Sequence, residues 1–371
     1  MRIKNVRKKL KRNQFTSTPF KSADFRLSSF DLLRRVPSRP LSRRAPAAAH
    51  PVMTKLYVLS IYQATPEVPL DTQSLDDITH RGRILSLDAG WSAEPTTLLN
   101  GLHMPDGIAI SKKYGRIFWT QMGNPGSNDG SIMSANLDGS DVRSLLPKGA
   151  VNTPKQIVID EEAGKLYFCD REGLRVHRCG LDGSNQEILV QTGDSVLNQE
   201  HQMDQTRWCV GIALSKKLNR VFWTQKGAPK SKQGRILCAS LDMPEGETPQ
   251  TRQDIELVAG GLPEPIDLEL DESGPAPVLY WTDRGEFPFG NTLNKKTLVG
   301  SEVPDAEKKL GRQILAEGFA EAIGLALDHS NDCIWVADLG GRVWKCDMHK
   351  PAKKVKVYES ETSVFTGLAI V

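Results

Sequence analysis

Short apolar segments recur along this sequence at a regular spacing, and most of them come in pairs. The first member of a pair is five residues long: GIAIS at 107–111, QIVID at 156–160, GIALS at 211–215, DLELD at 267–271, GLALD at 324–328 and GLAIV at 367–371. The second member begins nine residues later in four pairs and eleven later in one: RIFWTQ at 116–121, KLYFCD at 165–170, RVFWTQ at 220–225, VLYWTD at 278–283 and CIWVAD at 333–338. Turn formers such as KKYG and KKLN separate the two members, so each pair predicts a β-hairpin.

Two further segments follow most pairs and complete a four-stranded unit. The third segment alternates in and out with period two, as in GRILCASLDM, and the fourth is a shorter run such as QEILV or KVKVY. Four strands repeated every 43 to 57 residues are typical of a propeller blade. The pattern therefore predicts an all-β, six-bladed β-propeller over residues 53–371.

The two ends of the repeat array complement each other. KLYVLS at 55–60 matches the second segment but has no first segment before it, and GLAIV at 367–371 has no second segment after it. We therefore expect the C-terminal strand to complete the N-terminal blade. This closes the ring and removes the free sheet edges of an open stack.

Charge divides the chain into two parts. Residues 1–52 hold 14 Lys and Arg against Asp24 and Asp31, whereas the remainder holds 34 Lys and Arg against 43 Asp and Glu. Such a basic segment without an apolar period predicts a disordered N-terminal arm over residues 1–52. Three interpretations of this arm stay open: a mitochondrial transit peptide, a nucleic-acid-binding arm, or a dispensable extension ahead of Met53.

The remaining composition narrows the class of protein. No run of eighteen apolar residues exists, so no membrane span is predicted. Six scattered cysteines lack zinc-site spacing and are expected to be free thiols in a reducing compartment, although Cys333 and Cys346 flank one hairpin. The sequence favours an intracellular, cytoplasmic protein that binds no nucleic acid, and it leaves the oligomeric state open.

The second segments carry a recognisable motif. Its best copy is Tyr280-Trp281-Thr282-Asp283, and FWTQ at 118–121 and 222–225 are close variants. Over residues 55–371 the chain resembles the YWTD propeller family of lipoprotein-receptor ectodomains. The resemblance implies that the aromatic residues pack between blades and that the Thr and Asp side chains satisfy backbone groups at strand ends.

Loop lengths indicate where a ligand would bind. Short hairpins suffice in a bare propeller, yet QMGNPGSNDG, QKGAPKSKQG, DRGEFPFGN and the 61–81 segment are long loops on one rim. That rim surrounds the mouth of the central channel, which we predict to be the site. The residues expected to bind substrate there are His103, Asp106, Gln156, Trp208, Phe287 and Phe365.

Common catalytic motifs are missing: the sequence has no GxSxG, HExxH, Walker or dinucleotide-binding motif. In whole-chain layout and in its paired WTQ loops, the chain resembles fungal hetero-Diels–Alderases of tropolone sesquiterpenoid biosynthesis. That resemblance implies a cofactor-independent, metal-free addition of a reactive quinone methide to a polyene terpene, and it assigns no individual residues. The hydrogen-bond donors that we expect to be catalytic are Gln121, Gln225, Lys226, Arg284 and Lys155.

Two alternatives remain. The first is a non-catalytic propeller that binds a protein or peptide on the same rim. The second is a metal-dependent lactonase, in which acids at the channel mouth would hold a divalent cation, and Asp106, Glu264, Asp267 and Glu321 are the acids available there.

Overall fold

The computed structural model describes residues 54–63, 79–89, 94–229, 231–298 and 311–371. The chain divides into two units, residues 1–49 and 50–371, and all described residues belong to the second. The predicted arm of residues 1–52 lies outside the described residues. No helix in the described part of the chain is long and apolar enough to cross a membrane.

The described residues form six antiparallel four-stranded sheets, as the repeat count predicts. Blade 1 contains β1 (Lys55–Gln63), β2 (Gly82–Asp88), β3 (Thr96–Leu102) and the last strand, β24 (Ser363–Ile370). Blades 2 and 3 contain β4 (Pro105–Ser111), β5 (Arg116–Gln121), β6 (Gly130–Asn136), β7 (Arg143–Val151), β8 (Pro154–Asp160), β9 (Lys165–Asp170), β10 (Arg175–Gly180) and β11 (Glu187–Gln191).

The other three blades repeat this order. They contain β12 (Cys209–Ser215), β13 (Arg220–Gln225), β14 (Gly234–Ser240), β15 (Glu256–Leu262), β16 (Pro265–Asp271), β17 (Val278–Asp283), β18 (Thr292–Thr297), β19 (Gln313–Glu317), β20 (Ala322–Asp328), β21 (Cys333–Asp338), β22 (Arg342–Asp347) and β23 (Lys354–Glu359). The innermost strand of each blade lines the central channel. In blades 1 to 6 these strands are β24, β4, β8, β12, β16 and β20. A short helix, α1 (Gln199–Met203), and a 3₁₀ turn (Gln205–Arg207) interrupt the passage from blade 3 to blade 4.

The ring closes through the predicted composite blade. Strand β1 pairs on one side with β2 and on the other with β24, with Leu56 opposite Ile370 and Val58 opposite Leu368. Beyond the strand, Lys55 N–H donates to the Val371 carbonyl at 3.2 Å and Val371 N–H donates back at 2.9 Å. The C-terminal strand therefore holds the N-terminal blade in the ring.

Hydrophobic side chains fill the interfaces between blades. Each pair of neighbouring blades encloses one apolar cluster, and Trp119, Trp223, Trp281 and Trp335 are fully buried in four of them. All six cysteines are buried and free, as predicted, and Cys346 lies opposite Ile334 rather than Cys333. Burial of large aromatic side chains is a main source of stability in such a core.

The threonine of the repeated motif connects neighbouring blades. Thr224 Oγ1 accepts from Gly211 N at 2.7 Å and donates to the Ile266 carbonyl at 2.8 Å. Thr282 makes the equivalent bonds with Asp267 N and with the Ile323 carbonyl. These bonds satisfy backbone groups that the innermost strands leave unpaired, because a bulge interrupts their pairing with the second strands.

Candidate functional site at the channel mouth

A cavity of about 170 Å³ lies at one mouth of the central channel. This volume is below the roughly 300–1,000 Å³ of drug-sized sites, so the cavity suits a small ligand or one portion of a larger one. Two positions of the repeat, each occurring once per blade, supply most of its lining. The cavity is therefore built by the propeller repeat itself, with one residue from every blade at each of two levels.

The upper level comes from the residue that directly follows each six-residue second segment. Its members are Ile61, Met122, Arg171, Lys226, Arg284 and Leu339, in blades 1 to 6. The cations occupy three consecutive blades, 3 to 5, and apolar side chains occupy blades 6, 1 and 2. The upper level therefore has a cationic half and an apolar half.

The lower level comes from the innermost strands. In each blade it is the residue directly before the five-residue first segment of the repeat. Its members are Thr366, Asp106, Lys155, Val210, Ile266 and Ile323, in blades 1 to 6. Polar side chains occupy blades 1 to 3, and apolar ones occupy blades 4 to 6. Val210, Ile266 and Ile323 pack together with Leu339 as a small apolar cluster.

The polar halves of the two levels are offset by two blades around the ring. Because of this offset they coincide at one blade only, and the apolar halves coincide at one other blade. Both levels are cationic at blade 3, where Lys155 and Arg171 lie, and both are apolar at blade 6, where Ile323 and Leu339 lie. In a ring of six, blade 3 is opposite blade 6. We name these the cationic pole (Lys155 and Arg171) and the apolar pole (Ile323 and Leu339).

Lys155 is held in place by two side chains. Its Nζ lies 2.6 Å from Asp106 Oδ1 and 3.1 Å from Met122 Sδ. The other carboxylate oxygen, Asp106 Oδ2, accepts from Gln156 Nε2 at 3.1 Å. Burial lowers the pKa of Lys155 to about 8, and the charges of Arg171 and Arg284 act in the same direction while Asp106 opposes them. This ammonium therefore loses its proton as the pH rises through about 8.

Arg171 and Lys226 share an aromatic neighbour. The Arg171 guanidinium lies 4.8 Å from the Trp208 ring centroid, and Lys226 Nζ lies 5.3 Å from the same ring. Trp208 is fixed by its Nε1, which donates to the Gln202 carbonyl of α1 at 2.7 Å. Lys226 Nζ also contacts Gln205 Oε1 at 3.1 Å. The insertion between blades 3 and 4 thus supports two of the cations by cation–π contact.

Arg284 completes the cationic half. Its Nε pairs with Glu264 Oε2 at 2.7 Å, and no other hydrogen bond joins its guanidinium to the described residues. Because it also lines the cavity, its terminal nitrogens are available to a ligand. A guanidinium held through Nε is oriented while two donor groups remain for an acidic partner.

The floor beneath the lower level is formed by the next residue of each innermost strand. Four blades have glycine here (Gly107, Gly211, Gly324 and Gly367), and a Cβ at any of them would overlap the neighbouring innermost strand. Blades 3 and 5 have Gln156 and Asp267 instead. Asp267 accepts from the backbone of Leu268 and Leu325, and burial, reinforced by Glu269 and Asp106, raises its pKa well above the usual value.

Four predicted site residues lie at the cavity: Asp106, Lys155, Lys226 and Arg284 line it. A fifth, Gln156, lies behind Asp106 and positions it. The two motif glutamines do not line it. Gln121 Oε1 accepts from His103 N at 2.7 Å, and the buried Gln225 Oε1 accepts from Arg235 Nη2 at 2.5 Å. In other blades the same motif position is an aspartate, Asp170 or Asp283, which accepts a hydrogen bond from the backbone of the preceding loop. Gln121 makes the equivalent bond in blade 2.

Four other residues that were predicted to bind substrate lie away from this cavity. Phe365 is fully buried in the core between blades 6 and 1, and Phe287 is 77% exposed on the rim. Trp208 supports the cations from behind and does not form an apolar wall. His103 is buried against His80, with ring centroids 4.1 Å apart, and burial lowers its pKa. None of these four lines the cavity.

The acids considered for a divalent metal do not gather at one point. Glu264 pairs with Arg284, Asp106 pairs with Lys155, and Asp267 accepts backbone hydrogen bonds in the floor. Within the described part of the chain, no three His, Cys, Asp or Glu side chains come together as a ligand set. The lactonase alternative therefore lacks a cluster of ligands in these residues.

Sequence reasoning missed the apolar pole and most of the apolar lining. The signal was present, because the residue after the motif lines the cavity in every blade, so aligning that one position would have found Ile61, Met122, Arg171 and Leu339. The lower level was harder to find. The bulge in each innermost strand changes which of two adjacent side chains faces the channel.

The fold and the two-level cavity together define a class: a YWTD-type six-bladed propeller with a small, two-sided site at its channel mouth. The low-density lipoprotein receptor repeat class B family matches residues 115–161. The chain is 40% identical over 308 residues to a Pyricularia oryzae protein named low-density lipoprotein receptor-related protein 1, covering 81% of this chain and 96% of that protein. The chain therefore belongs to the family of that fungal protein.

A second fungal relative is longer. The 3-hydroxyacyl-CoA dehydrogenase-like protein LAM1 of Cochliobolus heterostrophus is 45% identical over 316 residues. The match covers 80% of this chain and 66% of LAM1, so the chain spans just under two thirds of that relative.

Solved structures share the fold at low sequence identity. The nidogen/laminin complex gives a TM-score of 0.58 at 16% identity, covering 85% of this chain and 98% of that one. TolB from Acinetobacter baumannii gives 0.54 at 11% identity, covering 86% and 66%. At these identities the likeness concerns the propeller fold alone.

Proposed function

We propose that the chain is an enzyme whose active site is the channel-mouth cavity, and that it acts on a small organic substrate by stabilising negative charge that develops on one substrate oxygen. The observation that carries the proposal is the opposition of the two poles. A substrate oxygen near Lys155 and Arg171 would have its hydrocarbon portion directed toward Ile323 and Leu339. Preorganised cations of this kind can contribute strongly in a water-poor site, because they need no reorganisation during the reaction.

The specific reaction that we propose is an intermolecular hetero-Diels–Alder addition of a tropolone-derived quinone methide to a humulene-type terpene. One C–C and one C–O bond form while three π bonds become one, so no atom leaves and no electrons come from outside. Such a reaction needs alignment of two partners, and holding them in one geometry removes much of the entropic cost of their encounter. The support for this choice is the resemblance in whole-chain layout to fungal propeller enzymes of that class.

Each pole has a stated part in this proposal. The cations would polarise the heterodiene oxygen and draw electron density from the diene, which makes it more reactive toward an electron-rich alkene. Ile323, Leu339 and Ile266 would seat the alkene by apolar contact. The names of the two fungal relatives refer to a dehydrogenase-like protein and to a receptor-related protein, and neither name decides the reaction.

Binding without turnover is the second candidate function. The observation that favours it is a pair of exposed aromatic side chains on the same rim, Phe287 at 77% and Phe289 at 52% exposure. Exposed aromatic residues near a rim are frequent anchors for a protein or peptide partner. In that case the cavity would be secondary, and the rim would carry the function.

The decisive experiment uses purified protein and a quinone methide generated in solution in the presence of humulene. We expect a faster and more stereoselective formation of the adduct than in buffer, and we expect Lys155→Met to lose most of the acceleration. Phe287→Ser serves as the rim control and should leave the rate unchanged. Equal rates with and without protein would contradict the proposed reaction. Loss of the acceleration in Phe287→Ser but not in Lys155→Met would favour the rim.

A further inference from the structure

We propose that the cavity binds its ligand as a small organic monoanion, such as a carboxylate or an ionised acidic enol or phenol, with the charge held by Arg171, Lys226 and Arg284. This inference rests on the proposed function in placing the substrate in this cavity. It goes beyond that function by assigning the ligand a full negative charge before any reaction begins.

The lining of the cavity is rich in cations. Among the described residues that line the cavity, four are cations and one is a carboxylate, Asp106. That carboxylate is already engaged on both oxygens, by Lys155 and by Gln156. Arg171 and Arg284 are each paired with one acid, Glu172 and Glu264, so the site offers a ligand their remaining guanidinium donors, and an anion accepts from such donors more strongly than a neutral group does.

The three upper cations are placed so that they can act on one ligand. Arg171, Lys226 and Arg284 hold the same repeat position in consecutive blades, so the ring symmetry directs them toward one volume. Acids hold the two guanidiniums from behind: Glu172 contacts Arg171 at 2.6 Å and Glu264 contacts Arg284 at 2.7 Å. Supporting contacts of this kind fix donors in advance of a ligand and reduce the entropy lost on binding.

The size and polarity of the rest of the site fit an organic group. The volume of about 170 Å³ accommodates a ring-sized group, and the apolar pole offers Ile323 and Leu339 opposite the cationic pole. Inorganic phosphate would satisfy the cations and leave this apolar surface uncovered. A hydrocarbon ring with one acidic group would cover both, which is why we assign an organic anion rather than phosphate.

The test is calorimetric titration of the full chain with three probes: benzoate, its neutral isostere benzamide, and inorganic phosphate. We expect benzoate to bind at least about tenfold more tightly than benzamide, since each charge-assisted hydrogen bond contributes a factor of that order. We also expect benzoate affinity to fall as chloride rises, with benzamide unaffected. Equal affinity for benzoate and benzamide would overturn the inference, and preferential binding of phosphate would overturn the organic character of the ligand.

A matched pair of variants separates the site from general charge effects. Arg284→Gln removes a cavity guanidinium held through Nε by an acid at 2.7 Å, and Arg342→Gln removes one with the same geometry, held by Glu359 at 2.7 Å outside the cavity. We expect Arg284→Gln to weaken benzoate binding on the order of 10- to 100-fold and Arg342→Gln to leave it unchanged. Equal effects of the two variants would contradict the proposal.

Failure of this inference can be told apart from failure of the proposed function. If the cycloaddition is accelerated but benzoate and benzamide bind alike, the substrate is neutral and only the anion assignment fails. If benzoate binds with the expected preference but no adduct forms faster, the anion site stands and the reaction is wrong. If Arg284→Gln does not fold, the chloride dependence of the unmodified chain still decides the question.

Discussion

Lys155 Nζ lies 2.6 Å from Asp106 Oδ1 at the lower level of the cavity, and the two residues belong to neighbouring blades. The pair is almost completely buried, with side-chain exposures of 10% and 3%. Breaking a buried ion pair from one side is costly because the remaining charge stays without compensation. We therefore treat Lys155 and Asp106 as one ion pair. Loss of the Lys155 proton makes the charge of the cavity lining more negative by one.

Ligand binding should depend on pH through this ion pair. The pKa of Lys155 is lowered to about 8, first by burial, so the ammonium of the empty site loses its proton as pH rises through about 8. The groups that face it are Asp106, Arg171 and Arg284. We expect benzoate affinity, measured by calorimetry, to be higher at about pH 7 than at about pH 9.

The matched variant for this prediction is Lys155→Met. It should bind benzoate more weakly at about pH 7 and should lose the pH dependence, because the residue that loses its proton is gone. A bound anion favours the charged form of Lys155 and raises its pKa in the complex, so the affinity should begin to fall near the midpoint of the empty site, at about pH 8, and should level off only above the midpoint of the complex. The same slope in Lys155→Met and in the unmodified chain would show that another group is responsible.

The two glutamines of the WTQ loops should behave as structural residues. Gln225 is buried, and its Oε1 accepts from Arg235, whose Nη2 also donates to the Thr206 carbonyl. Gln225→Ala removes the acceptor of a charged donor, and we expect it to lower the free energy of unfolding by about 1–3 kcal/mol. Chemical denaturation checks this value. Lys112→Ala, an exposed surface change, is the control and should stay within about 0.5 kcal/mol.

The glycines of the floor should be intolerant of a side chain. A Cβ on Gly211 would overlap the carbonyl of Ile266 and the Cα of Asp267, which are backbone atoms and cannot rotate away. We expect Gly211→Ala to destabilise the fold by roughly 1–3 kcal/mol or more, as overpacking does. Gly274 meets only one atom, at 3.7 Å, so Gly274→Ala is the matched control. Equal melting temperatures for the two variants would contradict the close approach of the innermost strands.

Because β24 completes blade 1, we can predict the effects of a C-terminal deletion and of a circular permutation. Deleting residues 366–371 removes three of the six residue pairs between β24 and β1, together with the two hydrogen bonds between Lys55 and Val371, and we expect loss of cooperative unfolding in circular dichroism and calorimetry. A circular permutant that joins Val371 to Lys55 by a short linker and opens the chain between Lys217 and Leu218 should fold. The joined ends are already hydrogen-bonded to each other. A folded deletion variant would show that blade 1 is stable without β24.

The fold could be predicted from the sequence because each blade repeats the same apolar segments, and a missing segment at one end matched a surplus at the other. The site could be predicted only in part. Lys155, Asp106, Lys226 and Arg284 were found because they are polar residues beside strand ends, where a loop meets the channel. Phe365 packs in the core whereas neighbouring Thr366 lines the cavity, because the bulge changes which of the two side chains faces the channel. The motif glutamines lie away from the cavity, and their hydrogen-bond partners on other loops and strands are not evident from the sequence.

Strand β24 also determines when the ring can form during synthesis. It is the last strand of the propeller to be translated, whereas its partner β1 is the first. Until β24 arrives, the growing chain has five complete blades at most and a first blade that still lacks one strand. Pairing between segments so far apart in sequence is slow to form. The interval before closure is the period in which this chain is most exposed to aggregation and most dependent on chaperones.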